Sequence, residues 1–97
     1  MMRDEMLTFE TMKLARECGY INQSRNIYSL QRWLREKHNA HVIVTFDMYE
    51  KKYHAMSQLG SNKYRPTKQI CEDTYEDALE SILLDALNYI IEKDVHK

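Results

Sequence analysis

Glycine and proline are scarce in this chain: Gly19, Gly60 and Pro66 are the whole supply in 97 residues. A loop that cradles phosphate needs closely spaced glycines so that the backbone can approach the anion, and two isolated glycines speak against nucleotide-loop chemistry. No glycine-flanked serine is present to form a nucleophile elbow. The only cysteines, Cys18 and Cys71, make no Cys-x-x-Cys pair. In a chain large enough to build its own core, two such cysteines read as reduced thiols rather than a disulfide staple. Long apolar runs are missing too. None approaches the ~20 residues of a membrane span, and the N-terminus has no apolar signal core, so the expectation is a cytoplasmic protein without a membrane partner.

What is present is ordinary in amount and uneven in placement. The chain is 43% hydrophobic and 30% charged, with a net charge of −1, the composition of a globular protein. Its length suits one domain spanning residues 1–97. Residues 11–68 carry eleven Lys/Arg against four Asp/Glu, whereas residues 69–97 carry two against eight. A split of this kind can steer a partner or favour head-to-tail self-association.

The strongest pattern lies in the last third. Ala78, Leu79, Ile82, Leu83, Ala86, Leu87, Ile90 and Ile91 recur in steps of one and three. On an α-helix they form one apolar stripe, with Glu76, Asp77, Glu80, Asp85 and Glu92 off it. Thr74 and Asp77 are spaced for an N-terminal cap, so a helix is expected from Thr74 to about Ile91.

The remaining elements follow from local signals. Residues 8–18 read as a short helix with Thr8 as cap, Gly19 as terminator, and Phe9, Met12, Ala15 and Cys18 inward. Tyr20 to Arg25 reads as a plain connection. Asn26 caps a second helix, Ile27 to about His38, with Ile27, Leu30, Trp33 and Leu34 on its apolar side and Arg25, Arg32, Arg35 and Lys37 as a basic stripe. From His41 the period changes to two, with Val42, Val44, Phe46 and Met48 alternating inward. Tyr49 to Lys52 is a turn, Tyr53 to Leu59 a return strand, Gly60 to Pro66 a loop, and Thr67 to Glu72 a short third strand. The expected fold is α+β, in the order α-α-β-β-(β)-α, with a small antiparallel sheet covered by the long C-terminal helix. Val42, Val44, Phe46, Leu79, Ile82, Leu83, Leu87 and Ile90 should form its core, closed on one side by Leu30, Trp33 and Leu34.

A series of residues in this order carries a resemblance: Phe9-Glu10, Lys13-Leu14-Ala15, Gly19-Tyr20, Ser29 to Glu36 (Ser-Leu-Gln-Arg-Trp-Leu-Arg-Glu), His38 to His41, and Thr74 to Glu80. The chain resembles a set of small phage and prophage proteins of Bacteroides-type bacteria that have no assigned activity. The resemblance spans most of the chain and implies a genomic setting, with no catalytic residue. The compact connection at residues 20–26 departs from the pattern, being often longer and proline-containing in those proteins.

Chemistry-bearing residues are dispersed. His38 and His41 straddle a helix end and a strand start, while His54, His96, Cys18 and Cys71 stand singly along the chain, so no metal or other cofactor is expected. The acidic neighbours Glu72 and Asp73 mark Cys71 as an unreactive thiol. No nucleophile, base or cofactor site can be named, and the chain reads as a non-enzyme. Its tyrosines and methionines are suited to adaptable contact surfaces, and a free sheet edge invites pairing. The leading expectation is therefore an accessory protein acting through an unknown protein partner or as a homodimer. The alternative is a nucleic-acid-binding regulator that uses Arg25, Arg32, Arg35 and Lys37, aided by Lys51, Lys52, Lys63, Arg65 and Lys68 and by stacking of Tyr49, Tyr53 and Tyr64. The element order resembles that of double-stranded-RNA-binding domains, but their last helix opens with lysines, where Glu72, Asp73, Glu76 and Asp77 stand here.

Overall fold

The computed structural model describes residues 6–21, 24–59 and 64–95, with the side chains of residues 59, 64–69 and 93–95 excepted. The chain runs α1 (Phe9–Glu17), α2 (Ile27–His38), β1 (Ala40–Asp47), β2 (Lys52–Leu59), β3 (Tyr64–Glu72) and α3 (Tyr75–Val95). The strands form one antiparallel sheet in the order β1-β2-β3. This is the α+β fold that the periodicities predict, with α3 packed across one face of the sheet and α2 beside β1.

Each boundary has a local cause. Thr8 Oγ1 accepts the Thr11 amide at the start of α1, and Gly19 stops that helix at φ 106°, a conformation costly for any residue with a Cβ. Asn26 Oδ1 accepts the amides of Tyr28 and Ser29 at the start of α2. Asn39 ends α2 in the left-handed region at φ 54°, and β1 begins at the next residue. Thr74 Oγ1 accepts the Asp77 amide and opens α3.

The core lies between α3, the two N-terminal helices and the inner face of the sheet. Leu79, Ile82, Leu83, Ala86 and Leu87 are wholly buried, and they meet Leu30, Leu34 and Ile27 of α2 and Met12 and Ala15 of α1. Val42 and Val44 are half-buried against this cluster, as is Trp33.

Four expectations need correction. Phe46 is not core but 50% exposed. It faces the helical side and packs on Tyr53 at 4.9 Å between ring centres, yet it lies at the end of the sheet where α3 only begins, so little covers it. Met48 falls in the turn after β1 rather than on its inward face, and is 76% exposed. Phe9, in the first turn of α1, is 78% exposed, and the inner face of that helix is Thr11, Met12 and Ala15. Finally, β3 starts at Tyr64, so Pro66 lies in a strand. The pairing slips there: Ala55 faces Ile70 while Ser57 faces Arg65. A residue without an N–H is tolerated on an edge strand at such an irregularity. Gly60 to Lys63, the heart of the expected loop, lie outside the described residues.

Two packing features carry no periodic signal. Tyr20, in what reads as a plain connection, is 1% exposed, sits edge-on to Trp33 at 5.1 Å and donates its hydroxyl to the Ser24 carbonyl at 2.6 Å. Its burial raises the phenol pKa. Leu7 is equally buried, held by its amide on the Arg25 carbonyl. Glu80 is a third case. It lies off the apolar stripe of α3, as its spacing predicts, but Oε2 accepts the Thr8 amide at 2.9 Å and the Thr8 and Thr11 hydroxyls at 2.7 Å each. One carboxylate of α3 thus caps the positive end of α1.

Candidate functional site

The four basic residues of the α2 region are not one stripe. Arg25 is exposed and donates Nη2 to the Leu7 carbonyl at 2.8 Å, which anchors the N-terminal segment. Arg32 and Arg35 share the outer face of α2 with Tyr28, separated by about 60° around the axis, whereas Lys37 lies about 140° from Arg32. Glu36 sits 3.7 Å from Arg32 as an exposed i,i+4 pair and partly offsets its charge. The result is a pair of exposed guanidinium groups interleaved with a carboxylate, with Lys37 across a shallow recess from Arg32 that Ser29, Trp33 and Glu36 also line. Of the supporting cations, Lys52 is engaged with Asp73 at 2.7 Å, and that hydrogen bond raises its pKa. Lys63 lies outside the described residues.

A different surface gathers on the β1–β2 hairpin. Ile43 and Met56 are partners in register on the sheet face opposite α3, and they are 54% and 38% exposed. The same hairpin carries Phe46, Met48 and Tyr49 at its turn end, with Tyr49 99% exposed. Alternation along β1 explains the layout. Val42 and Val44 turn towards α3, so Ile43 must turn away from it, and among the described residues no element packs on that second face.

The hairpin end is closed by a set of short-range hydrogen bonds. Asp47 Oδ1 accepts the amides of Tyr49 at 2.8 Å and Glu50 at 3.2 Å, the Lys51 amide returns to the Asp47 carbonyl at 2.7 Å, and Lys51 adopts φ 57°. The amides of Glu50 and Tyr49 hold the Asp47 carboxyl below its ordinary pKa. This side-chain-to-backbone turn aims Glu50 back along β2, where its Oε1 lies 3.2 Å from His54 Nε2. Asp47 Oδ2 is 3.7 Å from the same nitrogen.

Strand pairing then adds what linear spacing hides. His54 is the cross-strand partner of Cys71, and donor atoms of Glu50, His54 and Cys71 all lie within 4.8 Å of one another. Residues that stand singly along the sequence are neighbours in space. The histidine pair closest in sequence does the opposite: His38 packs edge-on to Trp33 at 4.9 Å, while His41 Nε2 lies 2.9 Å from Asn39 Oδ1. Cys18 is placed elsewhere, its thiol 3.7 Å from the Leu87 carbonyl, and neither cysteine is in a disulfide.

No helix among the described residues is long and apolar enough to cross a membrane. In comparisons with known proteins, no family model, curated protein or solved structure matches this chain.

Proposed function

We propose that the protein is a non-enzymatic interaction module of the phage or prophage accessory type, and that the open face and turn of the β1–β2 hairpin are its contact surface, a second copy of the chain being the partner to test first. The observation that supports this reading is the pairing of Ile43 with Met56 on the face away from α3, continued by Met48 and Tyr49 at the turn. Exposed apolar side chains grouped on one element are what a docking surface requires. The accessory role rests on the sequence resemblance alone.

The nucleic-acid reading is weaker in its geometry, because Glu36 stands 3.7 Å from Arg32, Lys52 is paired with Asp73, and the basic residues form no single stripe. One experiment separates the two. Light scattering over a concentration series is run on the wild type and on the double variant Ile43→Lys/Met56→Lys, then repeated with mixed RNA and DNA fragments at low salt. The expected result is a dimer that the double variant dissociates and that nucleic acid does not shift. A monomer whose mass shifts with nucleic acid, steeply reversed by salt and by Arg32→Glu/Arg35→Glu, would replace the docking reading with the alternative.

A further inference from the structure

We propose that Glu50, His54 and Cys71 bind one divalent transition-metal ion, with Zn²⁺ as the best-matched occupant, on the open face of the sheet. The placement is dictated by backbone, not by chance meeting of long side chains. His54 and Cys71 are locked opposite each other by the β2–β3 register, and the Asp47 turn fixes the backbone from which Glu50 reaches them. Tetrahedral zinc, with Zn–S near 2.3 Å and Zn–N or Zn–O near 2.0–2.1 Å, requires donor atoms about 3.3–3.6 Å apart. The Glu50–His54 pair already stands at 3.2 Å, and all three donors are within 4.8 Å.

The donor set selects the ion. A thiolate, an imidazole and one carboxylate suit a borderline-soft cation, whereas Mg²⁺ and Ca²⁺ take oxygen shells. Three protein donors leave a fourth position for water or for Asp47 Oδ2, 3.7 Å from His54 Nε2, whose other oxygen stays on the turn amides. Binding releases the Cys71 thiol proton to solvent as the sulfur–metal bond forms, because a coordinating thiol is deprotonated by the cation itself. Lys52 is the competing cation: it contacts Asp73 and acts electrostatically on Cys71 and Glu50. A dication outcompetes it by carrying twice the charge and forming a bond to sulfur. The site does not depend on the docking reading, since all its donors come from one chain.

The test is a titration of the full-length, reduced protein with Co²⁺ followed by absorption, and with Zn²⁺ by calorimetry. The expected result is one ion per chain, with a thiolate-to-cobalt charge-transfer band that Zn²⁺ abolishes. Cys71→Ser should remove the band. His54→Ala and Glu50→Gln should each weaken binding by at least the about 10–100-fold that loss of even an outer-shell partner costs. Cys18→Ser should leave both unchanged. Glu50 and Cys71 are exposed and His54 is half-buried, and circular dichroism of each variant checks that the fold is kept. No charge-transfer band, or binding that survives Cys71→Ser and His54→Ala, would overturn the proposal.

Discussion

The two faces of the three-stranded sheet are built from the same alternating strands and treated in opposite ways. On the inner face, Val42, Val44, Tyr53 and Ile70 pack against a helix whose stripe is wholly buried from Ala78 to Leu87. On the outer face, Ile43, Met56, His54 and Cys71 stand without a covering element among the described residues, and the side chains there are a mixture of apolar contact groups and metal-type donors. Stability is therefore concentrated on one side of the sheet and available chemistry on the other. Substitution on the first side should move the melting transition, and substitution on the second should move binding alone.

The largest test of that contrast is Leu83→Ala. Leu83 is wholly buried on the stripe of α3, and truncation should cost about 2–5 kcal/mol in denaturant unfolding; a loss under 1 kcal/mol would mean that α3 is not the centre of the core. Next comes Glu80→Ala, which removes the acceptor of three hydrogen bonds at the start of α1. Bonds to a charged group and a helix cap together predict a loss of about 2–3 kcal/mol, with amide exchange accelerating first in α1. Gly19→Ala is smaller. A methyl group there meets only Trp33 at 3.8 Å, so the left-handed backbone is the penalty, about 1 kcal/mol by thermal melt. The smallest effect belongs to the outer face. Ile43→Lys/Met56→Lys should leave stability within about 0.5 kcal/mol per site while changing the oligomeric state, and a large destabilisation would erase the distinction between the two faces.

Most of the fold was legible in the sequence because its elements declare themselves locally. Thr8, Asn26 and Thr74 are caps with the right residues following them, and the stripe of α3 is long enough that no strand could use it. What escaped depends on tertiary placement. Tyr20 and Leu7 are single apolar residues in irregular segments, where no period exists to assign them inside. Phe46 has the correct alternation, but exposure at the end of a sheet depends on where the covering helix starts. The Glu50–His54–Cys71 group was invisible for a sharper reason. Its members are joined by a turn and by the register of β3, and β3 contains a slip that no pattern in residues 64–72 announces. Pro66, which marks that slip, argued for a loop. The basic residues near α2 show the reverse error: Arg32 and Arg35 share one face, but Arg25 precedes the helix and Lys37 lies about 140° from Arg32 around its axis.

Glu80 has a consequence for the order of events in making this protein. Its partners, Thr8 and Thr11, are synthesised about seventy residues before it, and the stripe that buries Met12, Ala15, Leu30 and Leu34 begins only at Ala78. A ribosome that has produced α1, α2 and the hairpin has made helices whose apolar sides and N-terminal cap still lack their complement. Domains that depend on such distant pairings close late and fold more slowly than locally wired ones. These elements must wait for α3, and the carboxylate that completes α1 arrives with the same helix that completes the core.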